Sequence, residues 1–138
     1  MKPIADMSVE ELAGPVSRRK VKDALTMIGF KEKDRYFIHP ETEFYVEFPA
    51  GPLTVGDERV YEVEIRNTGA GHLRLLTPTD CEKERLAAFF YWNDTMAFEK
   101  ALLVARDQQF DIVDLRRWAK AEGQTDKLAT FEDSLGTV

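Results

Sequence analysis

The chain has 138 residues and a mass of 15.8 kDa, which allows one packed domain with short extensions and excludes a two-domain enzyme, since domains commonly run to roughly 100–150 residues. Apolar residues make up 43% and aromatics 11%, enough for a single core and too much for a disordered chain. A net charge of −6, from 19 Lys and Arg against 25 Asp and Glu, offers no general polyanion-binding surface and argues against a nucleic-acid partner.

One cysteine, Cys81, excludes an internal disulfide or a multi-thiolate metal site within one chain and fits a reducing cytoplasm. No stretch approaches the roughly 18 apolar residues of a membrane span, and the start Met1-Lys2-Pro3-Ile4-Ala5-Asp6 lacks the apolar core of a signal peptide. The expectation is a cytoplasmic protein without membrane contact. It forms a single domain over residues 1–138, with an extension at 1–14, a helix and sheet at 15–76 and a helical part at 77–138.

Met7 to Ala13 reads as a short helix capped by Ser8, ended by Gly14 and Pro15. A second helix follows Pro15, with Val16, Val21, Leu25 and Ile28 inward, Arg18, Arg19, Lys20 and Lys22 toward water, and Gly29 as its stop. Three segments then alternate with period two. In the first, Tyr36 and Ile38 oppose Arg35, Phe37 and His39; in the second, Phe44, Val46 and Phe48 oppose Glu43, Tyr45 and Glu47. The third runs from Arg59 to Arg66, with Tyr61, Val63 and Ile65 opposite Glu62, Glu64 and Arg66.

The link His39-Pro40-Glu41-Thr42 predicts an antiparallel hairpin. The link from Pro49 to Asp57 is too rich in Pro and Gly to be regular strand, and a short fourth strand spans Leu73 to Leu76.

The remainder reads as helix. Thr77-Pro78-Thr79-Asp80 supplies a cap, a proline at the first helical position and an acid three residues on, so a helix runs from there to about Tyr91. Asn93 caps the next helix, with Phe98, Ala101, Leu102 and Ala105 inward. A third starts near Asp111 or Asp114, buries Leu115 and Trp118 and stops at Gly123; a fourth packs through Leu128 and Phe131. The fold class is therefore α+β: a small, mainly antiparallel sheet of three to four strands, an N-terminal helix, and a C-terminal run of three to four helices covering one sheet face.

Chemistry-bearing groups are few. His39 and His72 lie at a hairpin corner and a strand entrance, without further ligands at metal spacing, and read as locally bonded loop histidines. Cys81, in the first turn of a helix, could be activated by the helix dipole but reads first as a small packed residue. Glu43 and Glu47 on one strand, and Glu62 and Glu64 on an expected neighbour, point in parallel and could hold a divalent cation. The alternative is a wet sheet face on which Arg35, Arg59 and Arg66 pair with these acids.

The block Leu75-Leu76-Thr77-Pro78-Thr79-Asp80-Cys81-Glu82-Lys83-Glu84-Arg85-Leu86-Ala87-Ala88, then Trp92-Asn93-Asp94 and the helix of Ala101 to Ala105, resembles the later half of small bacterial nucleotidyltransferase-like proteins of the polymerase-beta superfamily. Phe44-Tyr45-Val46-Glu47-Phe48-Pro49 looks like the strand carrying that family's third metal-binding acid, and Met27-Ile28-Gly29-Phe30 is similar to the turn that leads to it. The resemblance implies Glu47 as a ligand of Mg2+, Arg35, Tyr45 and Arg85 as nucleotide contacts, and Asp94 as the organiser of a helix turn. The family's Gly-Ser turn and Asp-x-Asp strand have no counterpart here, so catalysis by this chain alone is not expected.

The implied function is a partial or non-catalytic nucleotidyltransferase-like domain that binds a nucleotide or a protein partner. An alternative is an acidic interaction subunit, toxin-neutralising or complex-forming, without nucleotide binding. It rests on the four successive aromatics Phe89-Phe90-Tyr91-Trp92, which cannot all enter one core, and it admits a homo-oligomer.

Overall fold

The structure is a computed structural model that describes residues 18–48 and 53–136. The helix expected at Met7 to Ala13, the start of the helix after Pro15, and the Pro49 to Pro52 part of the link lie outside the described residues. The architecture is α+β: a helix, small antiparallel sheets, then four helices. The chain divides into two compact units, Met1–Leu53 and Thr54–Val138. No helix among the described residues is long and apolar enough to cross a membrane.

In the first unit, helix α1 (Arg18–Met27) is followed by β1 (Lys31–Lys33), β2 (Tyr36–His39) and β3 (Thr42–Glu47), paired antiparallel in the order β1-β2-β3. Strand β1 has no apolar residue and therefore no periodicity to announce it. The register sets Phe37 opposite Val46, with Tyr36 opposite Glu47 and Ile38 opposite Tyr45 on the other face. Alternation thus separates an apolar face, where Phe37 is buried and its ring meets Phe48, from a polar one. The basic face of α1 is not merely solvated: Arg18 and Lys22 each lie 3.0 Å from the Glu32 carboxylate. Those two hydrogen bonds, Lys22 first, hold the Glu32 carboxyl below its ordinary value.

Gly29 ends α1 at φ +94°, a backbone region that costs L-residues roughly 1–2 kcal/mol. The Glu41 amide donates to His39 Nδ1 at 3.1 Å, so Nε2 carries the proton and donates to the Ile28 carbonyl at 3.1 Å. His39 is thus a strut between the hairpin and the end of α1. A Cβ on residue 29 would stand 2.5 Å from His39 Nε2. Gly29→Ala is expected to destabilise this unit by about 1–2 kcal/mol, seen as faster hydrogen exchange at the amides of β2 and β3.

The second unit opens with a hairpin of two very short strands, β4 (Thr54–Val55) and β5 (Glu58–Arg59), turned by Gly56 at φ +60°. This corrects the expectation that the link through Asp57 holds no strand: Thr54 and Val55 lie between Pro52 and Gly56 in sequence, and with Gly56 in the turn two residues suffice to pair with Glu58 and Arg59. The segment expected as one strand from Arg59 to Arg66 is also divided, because Val60 is buried and breaks the alternation. Strand β6 (Val63–Thr68) begins after it and pairs with β7 (Gly71–Leu76). Among the described residues the strands therefore form three sheets of three, two and two strands. Among the described residues β3 and β6 belong to different sheets, so Glu43 and Glu47 do not share a sheet with Glu64, and Glu62 precedes β6.

Four helices follow: α2 (Pro78–Trp92), α3 (Thr95–Asp107), α4 (Ile112–Ala121) and α5 (Thr125–Gly136). Thr77 caps α2, its hydroxyl accepting from the Asp80 amide at 3.2 Å. Asn93 does not cap α3. It ends α2 at φ +54°, in the left-handed conformation asparagine tolerates, and Asp94 caps α3 through the Ala97 amide at 3.0 Å. Asp111 caps α4, and Gly123 follows its end at φ +71°.

The core joins Leu86 and Phe90 of α2, Ala101 of α3, Leu115 and Trp118 of α4, and Leu128 and Phe131 of α5. Phe90 stacks on Trp118 at 5.5 Å, and the Trp118 indole donates to the Val55 carbonyl at 3.3 Å, which seats the small hairpin on the helices. Lys127 completes the C-terminal end of α2 by donating to the Phe90 carbonyl at 2.7 Å.

Candidate functional site

Two helix N-termini meet in the second unit. The Asp111 amide, at the cap of α4, donates to Thr79 Oγ1 in the first turn of α2 at 2.9 Å. Both first turns carry an acid, Asp80 and Asp114, where the helix dipoles favour negative charge. Between them stands Lys83, 3% exposed. Its ammonium lies 2.7 Å from Asp114, 3.2 Å from Asp80 and 3.6 Å from Glu58 of β5. Arg117 forks onto the Glu58 carboxylate at 2.6 and 2.9 Å and also reaches Asp114 at 2.6 Å. Together with Tyr61, Glu62 and Thr77 these groups line a recess of about 380 Å³.

The electrostatics of this cluster oppose acid–base work near neutral pH. Burial pulls the Lys83 ammonium down, but the hydrogen bonds and charges of Asp114 and Asp80 outweigh it and hold its pKa above the ordinary value. Burial acts upward on Asp114, and hydrogen bonds from Lys83 and Arg117 outweigh it, so this carboxyl lies below its ordinary value. The Arg117 hydrogen bond leads in holding Glu58 low. Glu58, Lys83, Asp114 and Arg117 are thus each shifted toward the charged form. Among the described residues no three His, Cys, Asp or Glu side chains are arranged to hold a metal ion. Where three carboxylates do converge, the Lys83 ammonium already occupies the centre.

A second polar junction closes the small hairpin. The Glu122 carboxylate accepts the Asp57 amide at 2.9 Å and the Tyr91 hydroxyl. The Tyr91 hydrogen bond to Glu122, reinforced by burial and by the nearby negative charge, pushes its pKa up to about 12. In Glu122→Gln the phenol should titrate near the ordinary value of about 10. Absorbance-detected alkaline titration should show one tyrosine moving down and the other three unmoved.

The sequence-derived candidates fall into two groups. In the first unit Arg35, Tyr45 and Glu47 share the polar face of the sheet. Arg35 Nε is 3.2 Å from Glu47, its guanidinium bonds the Tyr36 hydroxyl at 2.9 Å, and the Tyr36 and Tyr45 rings meet edge-on at 4.8 Å. One carboxylate already paired with a guanidinium does not fit Mg2+, which takes several oxygen ligands. In the second unit Asp94 is the α3 cap, and Arg85 is half-buried with Nε out of contact with any hydrogen-bond partner. Cys81 is half-buried in the first turn of α2, and His72 bonds Asn67 across the β6–β7 pair.

Of the four consecutive aromatics, Phe90 is buried and Phe89 half-buried, with the Phe89 ring tilted against Phe98 at 4.6 Å. Tyr91 is partly exposed, Trp92 at the end of α2 is 82% exposed, and Met96 in the first turn of α3 is exposed as well. Sequence reasoning missed the Lys83 network because its members are distant in the chain. Comparison with protein-family models, with curated proteins and with solved structures finds no match to this chain.

Proposed function

We propose that this chain is an acidic, complex-forming subunit that acts by holding a protein partner and not by catalysis. The observation that carries the reading is the exposure of Trp92, at 82%, and of Met96, four residues on in the chain, at 66%. An indole in water forgoes about 2–3 kcal/mol of available burial, and Trp is among the commonest residues at the energetic centre of interfaces. The charged recess supports the same reading, since Glu58, Lys83, Asp114 and Arg117 are bound to one another and each is shifted toward its charged form, which opposes proton transfer near neutral pH.

A second reading keeps the nucleotidyltransferase-like relationship. It is favoured by the meeting of Arg35, Tyr45 and Glu47 on one sheet face, where Tyr45 is 60% exposed and offers a ring to a base. One experiment separates the two. The tagged chain and its Trp92→Ala variant are isolated from the native source and weighed intact by native mass spectrometry, and both are melted with ATP and magnesium. A stoichiometric protein partner held by the wild type and lost at least tenfold by the variant is the expected result. Free chain in both samples, with ATP-dependent stabilisation that Arg35→Ala abolishes, would replace this reading with nucleotide binding.

A further inference from the structure

The β6–β7 ribbon has only two strands, and among the described residues no third strand joins either edge. An isolated pair of strands is marginal in water, and an open edge presents unpaired backbone groups. The register shows which groups those are. A two-residue turn, Gly69-Ala70, joins Thr68 to its partner Gly71, so that pair exchanges hydrogen bonds. By the antiparallel alternation Arg66 with Leu73 and Glu64 with Leu75 do the same. The amides and carbonyls of Val63, Ile65 and Asn67 therefore point away from β7, along the outer edge of β6.

We propose that this edge pairs antiparallel with the same edge of a second copy, about a twofold axis at Ile65, to form a four-stranded sheet. The side-chain pattern is self-complementary about that residue. Ile65, 58% exposed, meets Ile65 of the second copy, and Val63 meets Asn67 through their outward backbone groups. Glu64 and Arg66, which bond each other at 2.7 Å within one chain, each come to stand opposite the other's counterpart, a pairing that stabilises cross-strand neighbours. Neighbouring registers fail: an axis at Val63 opposes Glu62 to Glu64, and axes at Glu64 or Arg66 set like charge on like. On the β7 edge the central outward residue, Arg74, would face its own copy.

A single strand edge is small beside the roughly 1,000 Å² of a stable interface, so the pairing is weak and is sought at high protein concentration. Self-pairing is separate from the partner reading above, since it uses neither Trp92 nor the recess.

Sedimentation equilibrium of the full chain at several hundred micromolar tests it. Wild type should approach twice 15.8 kDa. Glu64→Arg alone sets Arg66 against a like charge in the second copy, and Arg66→Glu does the same with Glu64; each should sediment as a monomer. Mixing the two variants restores opposite charges across the axis without restoring any pair within a chain, so the mixture should dimerise again. Ile65→Lys, which places like charges on the axis itself, should be monomeric, and circular dichroism checks that every variant is folded. A monomeric wild type, dimers indifferent to these substitutions, or folded variants whose mixture stays monomeric would overturn the proposal.

Discussion

Replacing Lys83 by methionine is expected to cost the second unit about 3–5 kcal/mol, the usual penalty for removing one partner from a buried ionic group. Lys83 is 3% exposed and faces Asp80, Asp114 and Glu58. Without its ammonium, two helix N-termini and one strand bring three carboxylates together around an apolar side chain, with only Arg117 to offset them. Thermal unfolding should shift down by more than about 10 °C. Arg116→Ala provides the contrast. Its ion pair with Glu132 is short, at 2.6 Å, but Arg116 is 60% exposed, and screening by water should hold the loss to about 0.5 kcal/mol. Equal losses in the two variants would mean that the Lys83 network is no more than a surface pair.

The second large effect belongs to Glu82 and has the opposite sign. Its carboxyl is fully buried on the face of α2 that also carries Leu86 and Phe90, and neither oxygen has a hydrogen-bond partner. Desolvation pushes its pKa up to about 7, against a weaker downward pull from Arg85. The folded state therefore holds a proton that the unfolded chain releases between its ordinary value of 4.5 and about 7. More protons bound when folded means stability falls as pH rises through that window. Glu58 and Asp114, whose carboxyls lie low, behave conversely and lose their contribution as pH falls.

Glu82→Gln keeps the shape and removes the titration. Its stability relative to wild type should rise by about 3 kcal/mol between pH 4.5 and pH 8, read from urea midpoints at the two pH values. A difference that does not change with pH would place the carboxyl in contact with water or with an unrecognised donor.

Local chemistry made much of this fold legible. The Thr77-Pro78-Thr79-Asp80 run names its own helix start because each residue answers a backbone requirement of the first turn. Leu115 with Trp118, and Leu128 with Phe131, repeat at helical spacing and are buried as that spacing demands. Asn93 and Asp94 show the limit of such signals. Either residue can cap, and the choice was decided by the end of the preceding helix, which takes Asn93 into the left-handed region and leaves Asp94 to start α3.

Strand pairing was less legible, because alternation assigns faces and not neighbours. Glu47 and Glu64 read as one carboxylate surface only while β3 and β6 are assumed to be adjacent, and these strands belong to different sheets. The ionic cluster was the least legible. Glu58, Lys83, Asp114 and Arg117 lie on three elements, and in sequence Lys83 sits among Glu82, Glu84 and Arg85 like any residue of a wet helix face. One signal was available: Glu82, Leu86 and Phe90 recur every four residues, which puts an acid on the stripe that faces the core.

At the centre of this account Asp80, Asp114 and Glu58 are committed to Lys83 and Arg117 and are not free to take a divalent cation. The direct measurement is the thermal midpoint of wild type and Lys83→Met with and without millimolar manganese. In Lys83→Met three carboxylates face only Arg117, so the variant should regain several degrees in manganese while the wild type, whose acids already have cationic partners, does not move. A wild type that gains as much as the variant would contradict the account, because the acids would then be free to bind metal with Lys83 in place.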